Sequence, residues 1–300
     1  MVSRTALVAV VAFAVVAAFG GVCDSTTATR VREVVSDPAP RHVTTLGVDV
    51  SAYQHGVDWG NAAGDGARFA YIKATEGDNY TNARLVEQYT GAAAAGISRG
   101  AFEFARPNQS DGVVQAEYFV KSLASLGGGR VDGTRTLPPM LDLESDPYTG
   151  SDGTNLCWGL TPKQMVRWIS EWSDTVIGLT DRTPVIYTTA HWWQVCTGDS
   201  AAFAGYPLFI AAYASDASDL SAGAGTLPSA WSHWTFWQYT NAGGQYADLA
   251  DGSKGSVPAR DEDLFRGSLA ELQELAAGTF SASSHLRSPR TPVPTPAPAP

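Results

Sequence analysis

Two carboxylate residues separated by a single leucine are the sharpest chemical feature of the sequence. Asp142 and Glu144 end the apolar stretch Pro138–Glu144. In a β-strand, residues i and i+2 point to one face, so both carboxyls should share a direction while Leu141 and Leu143 face the other way. Glycoside hydrolysis needs a protonated acid for the leaving oxygen and an ionised partner for the cationic transition state. A structural aspartate beside an exposed glutamate is the plainer interpretation.

Polar groups recur at one end of most other apolar runs. Asp49 lies in the first run, Glu103 lies in the third, and Tyr187, Tyr213, Trp237 and Gln238 lie at the ends of the last three. In an α/β barrel the active site lies at the carboxyl ends of the strands. We therefore expect these residues to line a groove around Asp142 and Glu144, since a purely structural barrel has no need of acids there.

The elements that must position these residues alternate along the chain. Short apolar runs predict strands at Leu46–Val50, Phe69–Lys73, Arg99–Phe104, Pro139–Leu143, Pro184–Thr188, Pro207–Tyr213 and Trp234–Tyr239. Helical spacing and cap signals predict helices at Ala83–Ala95, Asp111–Leu126 and Pro162–Ile177. Trp168 and Trp172 fall on the apolar face of the third helix and are expected in the core. The alternation predicts an α/β fold, an irregular single-domain β/α (TIM-like) barrel with loop-rich C-terminal strands.

The two ends of the chain do not look like parts of this barrel. Residues 1–22 have the layout of a secretory signal peptide, 23–42 are polar and irregular, and the tail 278–300 is rich in proline. The domain is therefore expected at 43–277. A retained N-terminal anchor is the alternative for the first segment. Cys23 is either an unpaired cysteine near the terminus or a lipid-modified one.

The remaining composition narrows the function classes. The net charge is −10 without a basic stripe, which disfavours nucleic acid as a partner. The five histidines show no metal-ligand spacing, and no phosphate-binding glycine loop is present, so we expect no metal and no cofactor. Cys157 and Cys196 are the natural disulfide pair of an exported protein. A cysteine hydrolase built from His191 and Cys196 is disfavoured for that reason.

Five ordered motifs resemble the glycoside hydrolase family 25 lysozymes of the Chalaropsis type. They are Gly47-Val-Asp49-Val-Ser51, Phe69-Ala-Tyr-Ile-Lys73-Ala-Thr-Glu76-Gly77, Met140-Leu-Asp142-Leu-Glu144, Val185-Ile-Tyr187-Thr188 with Trp192-Trp193, and Trp237-Gln238-Tyr239. The resemblance spans about Thr45 to Leu275. It implies a secreted N-acetylmuramidase that acts on the glycan strands of peptidoglycan in the cell wall, as a monomer without a stable membrane partner. The cysteine pair also resembles that of actinobacterial members.

The family pattern assigns roles to the acids. It implies that Glu144 is the catalytic acid, that Asp142 either stabilises the cationic sugar or orients the substrate's N-acetyl group, and that Asp49 is the acid of the first strand. A late motif places a fourth acid at Asp261, although Asp263 stands where the family has asparagine and competes for the assignment.

One position departs from the family. Glu103 stands where family members usually have histidine, so we expect it to lie near the site and bind substrate, or to be held by Arg106 or Lys73. A barrel that binds cell wall without cleaving it and a chitinase-like glycosidase remain as alternatives. The chitinase pattern needs two further acids before Asp142, and this chain lacks them.

Overall fold

The computed structural model describes residues 43–133, 135–148, 155–242 and 261–279. The predicted signal peptide, the segment 23–42 with Cys23, and the tail from residue 280 lie outside the described residues. None of the helices in the described ranges is long and apolar enough to cross a membrane.

Nine strands form one sheet within these ranges. They are β1 (Thr45–Val50), β2 (Phe69–Glu76), β3 (Tyr80–Thr81), β4 (Ser98–Phe104), β5 (Met140–Leu143), β6 (Val185–Thr188), β7 (Leu208–Ala211), β8 (Phe236–Thr240) and β9 (Asp261–Phe265). Their order is β1-β9-β8-β7-β6-β5-β4-β2-β3, and a further pairing of β1 with β2 closes the sheet. The result is a closed barrel of eight strands with the short β3 paired to the edge of β2, which confirms the predicted fold class.

Strand β9 closes the barrel in the opposite direction to its neighbours. It pairs antiparallel with β1 on one side and with β8 on the other, whereas the neighbouring pairs from β1 through β2 and β4 to β8 are parallel. Its first residue, Asp261, consequently lies opposite Asp49 at the carboxyl ends of the parallel strands. The antiparallel direction thus brings a late residue of the chain to the predicted catalytic end.

Six α-helices accompany the strands in the part of the chain that the structure describes. They are α1 (Trp59–Gly64), α2 (Leu85–Ala94), α3 (Gly112–Ser122), α4 (Pro162–Thr180), α5 (Ala190–Thr197) and α6 (Leu269–Ala276). Capping boxes start α4 at Thr161 and α6 at Ser268, where each side chain is paired with Gln164 or Glu271. The predicted second helix is shorter than expected because a 3-10 turn, Ala124–Leu126, follows it. Helices α1, α5 and α6 were not predicted from the sequence.

The core has two parts on the two faces of the barrel wall. Aromatic side chains fill the interior, where the rings of Phe69, Tyr71, Phe209 and Phe236 pack against one another. The outer face of the barrel packs against the helices. This layer includes the predicted core residues Trp168 and Trp172 of α4, which are 4% and 0% exposed. Alternate strand residues therefore face either the barrel interior or the helices.

Candidate active site

A cavity of about 190 Å³ opens at the carboxyl ends of the barrel strands. Its walls are formed by Asp49, Ser51, Lys73, Phe102, Phe104, Met140, Asp142, Glu144, Tyr187, Tyr213, Gln238, Asn241 and Asp261. All four acids expected to be catalytic border this one cavity, as do three of the five side chains expected to bind substrate. The structure therefore gathers residues from both ends of the domain at a single place.

A larger cavity, of about 540 Å³, lies at the opposite end of the barrel. Its lining includes Pro138, Pro207 and Thr235, each just before a strand. Its buried cation, Arg182, is occupied by the backbone carbonyls of Thr136 and Leu275 at 3.1 and 3.0 Å. No pair of carboxylates faces this space, so the smaller cavity is the candidate active site despite its size.

Strand β5 directs Asp142 and Glu144 into the cavity. Leu141 and Leu143 point to the helices and are fully buried, in the alternation expected from the sequence. The two carboxyls are hydrogen bonded to each other. Burial and the charge of Glu144 hold the pKa of Asp142 well above its usual range, and burial raises the pKa of Glu144. Adjacent carboxyls cannot both ionise readily, so the pair holds one proton to higher pH than an isolated carboxyl does.

The opposite wall carries a second pair of acids, Asp49 and Asp261. Burial, with the charge of Asp261, raises the pKa of Asp49 well above its usual range. Burial and the charge of Glu144 raise the pKa of Asp261 to about 7. Of the two candidates for the fourth acid, Asp261 borders the cavity, whereas Asp263 is fully buried one step further down β9. This position favours Asp261 as the residue that can meet a substrate.

Gln238 connects the second pair of acids to two tyrosines. Its Nε2 donates to Asp49 Oδ2 at 2.6 Å, and its Oε1 accepts from the hydroxyls of Tyr187 and Tyr213 at 2.9 and 3.1 Å. Because both hydroxyls donate to the carbonyl oxygen, the amide nitrogen must face the carboxylate. This bond lowers the pKa of Asp49 against the larger effect of burial. Gln238 thus fixes the orientation of Asp49 and favours its charged form.

Lys73 is the charged residue of the cavity lining that was not among the predicted site residues. Its Nζ bonds Glu76 Oε2 at 2.6 Å and lies 4.6 Å from the ring centre of Phe104. Its positive charge opposes the rise in the pKa of both Asp142 and Glu144. The strand pattern holds a usable signal, because Lys73 shares a face with Phe69 and Tyr71, which are buried in the barrel interior.

The expectation that Glu103 lies at the site is wrong. Glu103 is fully buried on the outer face of β4, where its Oε2 accepts from Trp172 Nε1 at 2.8 Å. Its neighbours Phe102 and Phe104 face the cavity instead. Neither Arg106 nor Lys73 holds it, since both interact with Glu76. Strand alternation explains the error, because one residue of β4 between two inward-facing ones must point outward.

The expectation that Trp237 lines the groove is wrong for the same reason. Trp237 is 2% exposed and packs in the helix layer, with Nε1 donating to the carbonyl of Ala212 at 2.7 Å. Gln238, the next residue on β8, takes the inward position. Trp237 supports the barrel wall behind the site rather than forming its surface.

A disulfide-anchored segment supports the backbone of Glu144. Cys157 and Cys196 are bonded, with Cα atoms 5.1 Å apart, which confirms the predicted pair. Trp158, the residue after Cys157, donates from Nε1 to the Glu144 carbonyl at 2.8 Å. Trp192 of α5 donates to the Leu156 carbonyl at 3.0 Å. The disulfide therefore ties helix α5 to the backbone that presents the candidate acid.

The chemistry that these groups support is proton transfer and stabilisation of positive charge. Four carboxyls from three strands share a small cavity in which burial raises the pKa of each of them. Within the described ranges, no group of three or more histidine, cysteine, aspartate or glutamate side chains is arranged to hold a metal ion. The arrangement suits acid-assisted cleavage of a bond whose transition state is cationic.

Comparison with known proteins gives consistent matches. Residues 48–247 match the model of glycosyl hydrolases family 25. Lysozyme M1 of Streptomyces globisporus is 42% identical over 234 residues, 78% of this chain and 71% of that protein. N,O-diacetylmuramidase of Chalaropsis sp is 41% identical over 240 residues, 78% of this chain and 100% of that protein. The crystal structure of a bacterial lysozyme from Streptomyces coelicolor superposes with a TM-score of 0.67 at 41% identity, covering 78% of this chain and 98% of that one.

Proposed function

This chain belongs to glycosyl hydrolase family 25, and from that premise we propose that it is a secreted lysozyme that cleaves peptidoglycan. The bond cut is the β-1,4 bond between N-acetylmuramic acid and N-acetylglucosamine. The family membership and the named relatives make the chain a glycoside hydrolase. The relatives called lysozyme and muramidase support the choice of peptidoglycan over other glycans.

The observation that carries this proposal is the hydrogen-bonded pair of Asp142 and Glu144 in the cavity. The pair keeps a proton at a pH where an isolated carboxyl has lost it, because both groups are buried and one charge opposes the other. Glu144 is the more accessible member, since Asp142 is only 5% exposed. A sugar in the cavity therefore meets Glu144 first.

In the proposed mechanism, Glu144 protonates the glycosidic oxygen as the bond breaks. The negative charge on Asp142 then stabilises the cationic sugar or orients the substrate's own N-acetyl oxygen as the nucleophile, a substrate-assisted variant of the two-carboxylate scheme. Asp49 and Asp261 hold the sugar from the opposite wall, and Gln238 fixes the orientation of Asp49. Product stereochemistry measured by NMR separates the retaining route from inversion.

Mass spectrometry of digested cell-wall sacculi tests the function directly. New reducing ends on muramic acid support it, whereas binding without release of fragments indicates a non-catalytic wall-binding barrel. Cleavage of chitin at a comparable rate indicates the chitinase-like alternative.

Loss of the general acid in Glu144→Gln should lower kcat by about 10²–10⁴-fold. Glu103→Gln is the matched control, because Glu103 faces the helices. Retention of more than a few per cent of activity by Glu144→Gln contradicts the assignment.

A further inference from the structure

Three exposed tyrosines lie together beside the catalytic cavity. Tyr53, Tyr80 and Tyr148 are 79%, 39% and 57% exposed, although large aromatic side chains are mostly buried in the rest of the described domain. Tyr53 is close enough to both of the others to affect their pKa values. The proposed mechanism uses none of the three. A cluster of exposed aromatic rings of this kind marks a binding surface.

A buried glutamate holds Tyr148 and the two neighbouring cations in place. Glu76, 7% exposed, accepts a hydrogen bond at Oε1 from the Tyr148 hydroxyl and bonds Lys73 Nζ at Oε2 over 2.6 Å. Arg106 lies 3.8 Å from Glu76 Oε1, and its guanidinium carbon is 4.6 Å from the ring centre of Tyr148. Tyr148 and the two cations are therefore preorganised before any ligand binds, which reduces the entropy lost on binding.

The cluster is continuous with the cavity. Lys73 lines the cavity and also lies 5.8 Å from the ring centre of Tyr80. Ser51, another lining residue, accepts at Oγ from the backbone nitrogen of Tyr53 at 3.3 Å. A polymer bound across the catalytic acids thus has these rings directly in its path.

The charge at this side of the cavity differs from that of its floor. The floor is acidic, and the whole chain carries a net charge of −10. Lys73 and Arg106 both lie against Glu76, so this side of the cavity carries two cations, whereas the nearby Asp146 is only 8% exposed and accepts a hydrogen bond from the backbone nitrogen of Tyr148. In peptidoglycan the carboxylates belong to the peptide carried on muramic acid, whereas the sugar rings themselves are uncharged. Charge complementarity therefore favours the peptide-bearing part of the substrate here.

We propose that Tyr53, Tyr80, Tyr148 and Arg106 form an accessory subsite, here called the tyrosine wall, that binds the peptide-bearing part of the glycan strand next to the catalytic cavity. The inference rests on the proposed function and extends it from the cleaved bond to the adjoining peptide. The rings stack on sugar and peptide planes, and Arg106 binds a peptide carboxylate, assisted by the charge of Lys73. The wall orients the strand, since it admits the peptide on one side of the cavity.

Two forms of one substrate test the tyrosine wall. Purified glycan strands are assayed with their peptides intact and after an amidase has removed them. The measured quantity is the ratio of kcat/KM on peptide-bearing strands to that on peptide-free strands. Tyr53→Ala and Arg106→Gln should each lower this ratio by about fivefold, the effect of one exposed stacking or cation contact. Arg106→Lys should recover part of the loss because it keeps the charge.

Matched controls lie outside the site. Arg167→Gln removes an exposed cation of α4 that pairs with Glu171, and Leu179→Ala removes an exposed apolar side chain of the same helix. Both should leave the ratio at the wild-type value. A ratio unchanged in Tyr53→Ala and Arg106→Gln overturns the tyrosine wall, even if both activities fall together. The variants are expected to fold, since Tyr53 is 79% exposed and the Arg106 side chain is 31% exposed.

Calorimetric binding keeps this inference separate from the proposed function. Affinities of wild type and Tyr53→Ala are measured for soluble fragments with and without peptide, in the Glu144→Gln background. A peptide-dependent affinity that Tyr53→Ala weakens supports the wall whether or not the chain cleaves peptidoglycan. Equal affinities for the two fragments in both proteins overturn it. Absence of cleavage by the wild type contradicts the proposed function alone.

Discussion

The side-chain amide of Gln238 donates a 2.6 Å hydrogen bond to Asp49 Oδ2, and two tyrosine hydroxyls behind it fix the amide in that orientation. The pair joins β8 to β1 across the antiparallel β9. The side chain that orients Asp49 of β1 therefore comes from a different strand, β8. This contact lowers the pKa of Asp49 and so opposes the larger effect of burial.

Replacement of Gln238 by methionine should damage catalysis more than stability. The variant keeps the length of the side chain but removes the donor to Asp49, and a hydrogen bond to a charged group is worth about 1.5–3 kcal/mol. We expect kcat/KM to fall by about 10–100-fold, with the acid limb of the pH profile moved to higher pH because the pKa of Asp49 rises further. Tyr213→Phe, which removes one of the two donors behind the amide, should have a smaller effect. An unshifted acid limb would contradict this role.

Replacement of Glu103 by glutamine should stabilise the protein at alkaline pH. Burial holds the pKa of Glu103 well above its usual range. A carboxyl whose folded-state pKa is raised stabilises the fold fully below its unfolded pKa, and this stability is lost as the pH rises through the folded pKa. Denaturant unfolding from pH 5 to pH 9 should therefore show a smaller loss in Glu103→Gln. Glu87→Gln, on the exposed surface of α2, is the control.

The same variant also tests where Glu103 points. Because its carboxyl meets Trp172 in the helix layer, kcat/KM of Glu103→Gln should stay within about twofold of wild type, the usual range away from a site. A loss of tenfold or more would place Glu103 in the substrate path and would contradict the structure.

Asparagine substitutions at Asp261 and Asp263 should separate the two candidates for the fourth acid. Asp263 is fully buried and has no hydrogen-bond partner for either oxygen, and burial keeps its pKa well above the usual range. Burial therefore favours its neutral form, which asparagine resembles in charge and shape, and Asp263→Asn should change kcat/KM by less than about twofold. Asp261→Asn should lower kcat/KM by about tenfold or more, since Asp261 borders the cavity. The reverse order of effects would reassign the role to Asp263.

Removal of the disulfide should lower both stability and activity. The bond joins residues separated by 39 positions, for which chain entropy predicts a stabilisation of about 4 kcal/mol. The double variant Cys157→Ser with Cys196→Ser should lose free energy of unfolding of that order in denaturant titrations. Its kcat should also fall, because Trp158 beside the bond holds the Glu144 carbonyl. Wild type in reductant should match the variant. A variant with full kcat would show that the segment does not position Glu144.

The sequence predicted most of the barrel because its parallel strands are apolar runs bounded by turns. Seven of these runs became β1, β2 and β4 to β8 with small shifts at their ends. Strand β9 escaped detection because Asp261, Glu262 and Asp263 give it three acids where a strand pattern needs apolar residues. The contacts of these acids explain why β9 is buried: Asp261 borders the cavity, and Glu262 accepts a hydrogen bond from the Tyr239 hydroxyl at 2.6 Å. The functional requirement overrides the local pattern there.

Site residues were predictable where apolar and polar residues alternate clearly along a strand. Asp142 and Glu144 alternate with Leu141 and Leu143 along the strand. Because the apolar leucines must face the helices, the acids could be assigned an inward direction. In Phe102-Glu103-Phe104 the single acid stands between two aromatics, and in Trp237-Gln238 both residues suit a groove. Spacing shows which residues share a face, but the direction of that face depends on the barrel closure.

The late position of β9 in the sequence determines when the active site is complete. It is the strand that joins β8 to β1, and it delivers Asp261 from late in the chain to the side of Asp49. A polypeptide still emerging from the ribosome lacks this strand, so it has an open sheet and an incomplete acid set. Pairing of such distant segments is a slow, non-local event in folding. The set of four acids is therefore complete only when β9 has paired with both β8 and β1.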